Sequence, residues 1–208
     1  MGEIRVSRDL GDRIWFTADN HFGHENIIRF CKRPFADVDE MDRVMIERWN
    51  QVVKPGDEVY HLGDFTLAWI DHAERYFRQL NGRIRVLGNI WHHDKRWLPA
   101  KTIGHEYGFS KIFSQQGKWP VKILPPMYVL EIEELSRDGR PLPIVLCHYP
   151  MAEWDRKHHS AWHLHGHSHG QHKYSDGEYA IDVGVDVWGF TPLSLGGVLE
   201  IMYSYGWV

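Results

Sequence analysis

The chain has 208 residues, enough for one substantial core, and nothing in it requires a second domain. Hydrophobic residues make up 43% and charged residues 25%, which excludes a disordered chain, and a net charge of −4 argues against a long nucleic-acid groove. No apolar stretch approaches the roughly 20 residues that span a bilayer, and the first residues lack the apolar region of a secretory signal. We therefore predict a single cytoplasmic domain over residues 1–208, without a membrane partner.

The first half of the chain alternates short strands with amphipathic helices. A capping box of Asp37 and Glu40 opens one predicted helix, and the Asn81-Gly82 pair ends the next. This order predicts a β-α-β-α-β opening. Its strands are predicted at residues 13–19 (RIWFTAD), 58–64 (EVYHLGD) and 83–89 (RIRVLGN).

After residue 118 the pattern changes to strands. The Asp-Gly pair in SRDGR predicts a hairpin, and a second Asp-Gly turn lies at Asp176-Gly177. Helices early and strands late predict an α/β or α+β sandwich with mixed sheets, whereas residues 92–118 carry no predicted element. The late strands are predicted at residues 121–124, 127–135, 143–149, 161–167 and 179–187.

Four of the eight predicted strands end in Asp, Asn or His, and a fifth has His148 next to its end. In open α/β sheets, functional groups gather beyond the carboxyl ends of the strands, so these side chains are expected to converge on one pocket. Oxygen and nitrogen donors of this kind suit manganese, iron, zinc or magnesium. Any one of them alone is more simply explained as a turn residue, but the ordered set has no such structural explanation. The set is Asp19, His21, Asp64, Asn89, His148, His167 and His169.

The order D-x-H, GD, GN, H and GHxH across residues 19–169 resembles the calcineurin-like metallophosphoesterases. The stretches TADNHFGHENIIRFCKRPF and VGVDVWGFTPLSL further resemble a small, capless prokaryotic and phage-type branch of that superfamily. The resemblance implies a four-layer αββα sandwich with two mixed β-sheets. It also implies two divalent metal ions, with manganese favoured over iron, zinc or magnesium. Metal one would be held by Asp19, His21, Asp64 and His169, and metal two by Asp64, Asn89, His148 and His167.

The resemblance also implies a metal-dependent phosphohydrolase. Two ions roughly 3.5–4 Å apart lower the pKa of a water that bridges them and neutralise the phosphate oxygens. A histidine acting as general acid then protonates the departing alkoxide. We expect small phosphodiesters or nucleotides as substrates, ahead of monoesters and nucleic acid, since no cap domain is apparent. The oligomeric state is not predicted.

One stretch, GNIWHHD at residues 88–94, departs from the family pattern G-N-H-D/E. Ile90 stands where the acid is expected, and an aliphatic side chain cannot donate a proton. We expect His93 to replace it with Asp94 as its orienter, and His92 is the second choice. Trp91 either packs against the core or covers the pocket.

The alternative is that both histidines are solvated and the acid is lost. Activity would then remain only toward substrates with good leaving groups. A rival function, also suggested by the altered motif, is a metal-binding scaffold or sensor on the same fold, without turnover. Two further residues are candidates for binding the substrate phosphate. His24 could contact a phosphate oxygen or could simply begin a helix, and Arg33 could bind phosphate bidentately or lie at the surface.

Overall fold

A computed structural model describes residues 8–88, 93–98, 109–137, 140–175 and 177–207. Within these ranges the chain forms two mixed β-sheets with helices, which confirms the predicted α/β class. None of the described helices is long and apolar enough to cross a membrane.

The described helices and strands follow in chain order, with a short 3₁₀ helix at His93–Arg96 between β3 and β4. The α-helices are α1 (Arg8–Gly11), α2 (Glu25–Phe30), α3 (Val38–Val52), α4 (Ile70–Gln79) and α5 (Leu195–Ser204). The first five strands are β1 (Ile14–Thr17), β2 (Glu58–His61), β3 (Arg83–Leu87), β4 (Phe109–Ser114) and β5 (Trp119–Leu124). The last five are β6 (Met127–Arg137), β7 (Arg140–Cys147), β8 (Trp162–His165), β9 (Ala180–Asp182) and β10 (Leu193–Ser194).

The first sheet has six strands in the order β10-β1-β2-β3-β5-β4. Its four central strands are parallel, and β10 and β4 pair antiparallel at the two edges. The β-α-β-α-β opening is confirmed, since α3 connects β1 to β2 and α4 connects β2 to β3. The carboxyl ends of β1, β2 and β3 therefore meet at one edge.

The second sheet has four strands in the order β6-β7-β8-β9. The β6–β7 pair is the predicted antiparallel hairpin, whereas β7, β8 and β9 are parallel. A parallel bridge between Ala18 and Gly184 joins the chain just after β1 to the chain just after β9. The two sheets therefore meet where both sets of parallel strands end.

Two apolar cores hold this arrangement together. One lies between the sheets, where residues such as Phe16 and Leu164 are fully buried, and α5 packs into it. The other lies between the first sheet and α3 and α4, and includes Trp49 and Phe77. On the outer face of the second sheet, Trp154 from the loop after β7 packs against the strands. No α-helix of the described chain packs there. Each such side chain contributes about 1.5–3 kcal/mol when fully buried.

Four of the labelled elements were not predicted, namely α1, β4, β10 and α5. Strand β4 lies in the segment without a predicted element, and its pairing with β5 is irregular between Phe109 and Phe113. Strand β10 has only two residues. Helix α5 contains Gly196 and Gly197, which lower helix propensity, but Ser194 caps it by accepting from the amide of Gly197 and its apolar face is buried.

Candidate metal centre

The candidate donors lie directly after the parallel strands of both sheets. Asp19 and His21 follow β1 and Asp64 follows β2, while His148 follows β7 and the GHSH segment follows β8. Backbone hydrogen bonds join the loops, since the amides of Asp19 and His21 donate to the carbonyls of Gly63 and Asp64 at 3.0 Å. The first sheet thus supplies the buried carboxylates, and the second supplies histidines.

Left-handed backbone conformation marks these loops. A positive φ disfavours residues with a Cβ and costs of order 1 kcal/mol or more, so it persists where the surroundings impose it, frequently at functional sites. The positive φ angles at candidate donors are 59° at Asp19, 53° at His21, 56° at Asp64, 68° at His167 and 47° at His169.

A first cluster of donors contains Asp19, His21 and His169. One ligand atom from each lies within 4.8 Å of the others. Asp19 and His21 are almost fully buried, and the rings of His21 and His169 stack with centroids 5.5 Å apart. These three are predicted donors to the first metal.

A second cluster contains Asp64, His148 and His167, again with ligand atoms within 4.8 Å of one another. Asp64 also lies against the first cluster. Its Oδ2 is 3.5 Å from Nε2 of His148 and 3.7 Å from Nε2 of His21. The structure therefore brings together six of the seven predicted metal donors, and the seventh, Asn89, lies outside the described residues.

Several buried donor atoms have no hydrogen-bond partner in the described chain. They include one carboxylate oxygen each of Asp19 and Asp64, and both ring nitrogens of His21. Leaving a buried polar atom unsatisfied costs roughly 1–3 kcal/mol, and a bound cation would remove that cost. The arrangement of these oxygen and nitrogen atoms fits divalent metal ions.

Burial and the contacts between carboxylates and imidazoles shift the pKa values of the groups in the centre. Burial raises the pKa of Asp19 to about 7. Burial alone would also raise the pKa of Asp64, but the hydrogen bond and charge of His148, with the charges of His21 and His93, lower it below its ordinary value. Burial opposes the charge on His148, yet its contacts with Asp64 and Asp19 raise its pKa. Asp64 and His148 therefore each favour the charged form of the other.

Arg33 is buried and does not face a substrate pocket as a free cation. Its guanidinium donates to both carboxylate oxygens of Asp186 at 2.8 Å and to the backbone carbonyls of Asn20 and Asp19. Asp186 in turn lies 2.7 Å from Nδ1 of His169. Instead of the substrate contact that we expected from the sequence, Arg33 positions Asp186 and the turn that carries Asp19.

Asp182 holds the loop that carries His167 and His169. Its carboxylate accepts from the hydroxyl of Ser168 at 2.6 Å and from the amides of Gly170 and Gly184 at 2.8 Å. The contacts with Ser168 and Gly170 depend on how β8 and β9 pair, so no local sequence pattern indicates them.

Asp42 is a further positioning residue that the sequence did not indicate. From α3 it accepts the amide of Gly23 through both oxygens at 3.0 Å and the hydroxyl of Tyr76 at 2.8 Å. It thereby fixes the turn between His21 and His24. A carboxylate on the buried face of a helix, next to Met41 and Met45, was the available signal.

His93 reaches the centre. Its Nε2 is 3.8 Å from Oδ2 of Asp64, and its ring lies 4.7 Å from that of His21 and 5.6 Å from that of His24. One third of its side chain is exposed. His92, with Ile90 and Trp91, lies outside the described residues.

Asp94 makes contacts other than the one predicted. Its Oδ1 accepts from the amides of Phe65 and Thr66 and from the indole of Trp97, at 3.0, 3.1 and 2.6 Å. The carboxylate is fully buried, which raises its pKa to about 7. These bonds assign Asp94 to holding the loop after Asp64 rather than to orienting His93.

Comparisons with known proteins support the fold over nearly the whole chain. No family model matches the sequence. An uncharacterized protein of Methanocaldococcus jannaschii is 29% identical over 199 residues, which cover 91% of each chain. The gene 66 protein of Mycobacterium phage L5 is 28% identical over 191 residues, covering 84% of this chain and 87% of the phage protein. The crystal structure of a protein of unknown function from Aquifex aeolicus matches with a TM-score of 0.60 and 21% identity, over 90% of this chain and 98% of that one.

Proposed function

We propose that the protein is a metal-dependent phosphohydrolase of the calcineurin-like metallophosphoesterase type, built on the two packed mixed sheets. One observation carries the proposal. Asp64 lies between two donor clusters, 3.7 Å from His21 on one side and 3.5 Å from His148 on the other. A carboxylate between two donor clusters can bind both ions of a two-metal site, which supports a two-metal phosphoesterase.

Two divalent ions, manganese favoured, would occupy the two clusters. When bound, they supply an activated water and neutralise charge on the phosphate oxygens. The chain contributes the donors and keeps them rigid through Arg33, Asp42, Asp182 and Asp186. The donors are Asp19, His21, Asp64 and His169 for the first ion, and Asp64, Asn89, His148 and His167 for the second.

His93 is the proposed general acid. It lies within 4 Å of Asp64 and is partly exposed, so a leaving group at the open side of the centre can reach it. Its task is to donate the ring proton to the departing alkoxide, which typically contributes 10²–10⁴-fold. We assign His24, whose ring is 5.6 Å from that of His93, to contact with the phosphate.

Small phosphodiesters and nucleotides are the proposed substrates. His167 is exposed and His93 is one-third exposed, which favours an open site over an enclosed monoester pocket.

The test is hydrolysis of an activated aryl phosphodiester by metal-stripped protein during titration with manganese. Turnover should appear with about two equivalents and be lost in Asp64→Asn, because the shared ligand is weakened. Asp71→Asn, which changes an exposed carboxylate in α4, is the matched control and should behave as wild type.

Bound metal without turnover, for each of manganese, iron, zinc and magnesium, would contradict this function. The metal-binding scaffold or sensor would then be the better description.

A further inference from the structure

Three imidazoles meet beside the dinuclear centre. His21, His24 and His93 each offer one ring nitrogen, and these atoms lie within 4.8 Å of one another. The ring centroids are 4.7 Å apart for His21 and His93, and 5.6 Å apart for the two pairs that include His24. Among the groups of potential metal donors in the described chain, this one alone contains no carboxylate.

The nitrogens of His21 permit two bonds to metal. Both are buried and neither has a hydrogen-bond partner in the described chain, whereas a ligating histidine usually donates its second N–H to an oxygen. Nδ1 of His24 is likewise buried without a partner. One nitrogen of His21 can therefore serve the dinuclear centre while the other, after losing its proton to solvent, serves a further ion.

A group of three imidazoles without a carboxylate favours some divalent metal ions over others. Manganese and magnesium prefer oxygen donors, whereas three histidines with an open fourth position suit zinc. Zinc–nitrogen bonds of about 2.0–2.1 Å in tetrahedral geometry set nitrogens roughly 3.4 Å apart. The rings would therefore close by at most about 1.4 Å, and His24 and His93, both only partly buried, have room to rotate.

We propose that His21, His24 and His93 form a third metal site, selective for zinc, next to the dinuclear centre. Zinc bound there occupies the nitrogen with which His93 would protonate a leaving group, so excess zinc inhibits the enzyme. The inhibition rests on the proposed function, but the binding does not.

The experiment compares metal content after dialysis of wild type, His24→Ala and His93→Ala against excess zinc or manganese. Each variant should hold one zinc ion fewer than wild type and the same amount of manganese, because only zinc accepts the three-histidine group. His72→Ala, which removes an exposed histidine from α4, is the matched control and should retain the wild-type zinc content. Circular dichroism identifies any variant that fails to fold, and the other then carries the test.

Equal zinc contents in wild type and both variants, or a loss that manganese shares, would overturn the site. A one-zinc difference in a protein that hydrolyses no phosphodiester would instead refute the proposed function and leave the zinc site standing.

Discussion

Arg33 connects the donor cluster around Asp19 to the rest of the molecule. Its side chain is fully buried and bonds both oxygens of Asp186, as well as two backbone carbonyls. Arg33→Ala leaves His169 as the remaining partner of Asp186 and removes the donor to two buried carbonyls, so we expect a loss of about 1.5–3 kcal/mol in the free energy of unfolding. Urea unfolding of the metal-free protein measures it.

Arg43→Ala is the control for that loss. Arg43 pairs with Glu47 on the exposed face of α3 at 3.0 Å, and its removal should cost less than about 1 kcal/mol. Similar small losses in both variants would mean that Arg33 does not hold the turn. Because Arg33 also fixes Asp186 beside His169, its removal should weaken manganese binding about 10–100-fold.

His93 has a role that can be tested by varying the leaving group. His93→Ala should reduce kcat/KM about 10²–10⁴-fold for alkyl phosphodiesters and much less for aryl diesters, which depart without a proton. The plot of log kcat/KM against leaving-group pKa should therefore become steeper. An equal loss on both classes of ester would assign His93 to binding rather than to proton donation.

The donors were predictable from the sequence and their supports were not. Asp19, Asp64 and the histidines were recognisable because each follows a predicted strand. The partner of Arg33 lies 153 positions along the chain, so no local pattern could indicate it. Asp94 adjoins His93 in sequence, yet its carboxylate bonds the amides after Asp64.

Among the elements, the turn after β9 packs closely against the centre. A Cβ at Gly184 would lie 2.7 Å from Oδ2 of Asp19 and 2.9 Å from Oδ1 of Asp182. Asp19 is fully buried and cannot move away freely. Gly184→Ala should therefore displace Asp19 and weaken manganese binding about tenfold or more.

Gly196→Ala is the matched control within α5. A Cβ there meets no atom closer than 3.7 Å, and Ala is a better helix former than Gly. We expect unchanged manganese binding and a slightly raised melting temperature. Isothermal titration with manganese measures the affinity of both variants, and thermal unfolding measures their stability. Equal manganese affinity in Gly184→Ala and wild type would refute the role of the close contact between Gly184 and Asp19.

Helices and strands with a regular hydrophobic pattern were predictable from the sequence. Those that form only through contacts with distant parts of the chain were not. Helix α3 has both a cap and an apolar face, and Asp37 accepts from the amide of Glu40 as the capping box predicts. Strand β10 and helix α5 are formed where the chain returns to β1, a tertiary contact that composition does not encode. Tertiary burial overrode the weak helix propensity of the two glycines in α5.

At the scale of the whole molecule, the candidate centre exists only when both sheets are joined. Asp19 and Asp64 come from the first sheet, and His148 and the GHSH segment come from the second. Ala18 and Gly184 join the sheets at that edge. The sequence indicates the donors from both sheets, but the distances between those donors depend on how the two sheets pack around the core between them.

We expect the centre formed by the two sheets to release protons when it binds metal. Burial would lower the pKa of His169, but its hydrogen bonds with Asp186 and Cys31 raise it to about 10, and contacts with Asp64 and Asp19 raise that of His148. Metal-ligating imidazoles must be neutral, so protons held by these raised groups leave when manganese binds. The affinity for manganese should therefore rise with pH until the imidazoles of the metal-free protein are neutral, which for His169 is near pH 10. Below neutrality Asp19, with a pKa of about 7, releases a further proton when metal binds.

Isothermal titration of the metal-free protein with manganese at pH 7.5, in buffers of different ionisation enthalpy, counts these protons. The observed enthalpy should vary linearly with the ionisation enthalpy, with a slope that corresponds to about one to two protons released. In His169→Ala the slope should fall by less than one proton, because the proton of His169 is lost while Asp19, whose pKa the charge of His169 lowers, becomes more protonated. A slope of zero in wild type would mean that the metal-free centre is already deprotonated, and affinity would then be independent of pH above neutrality.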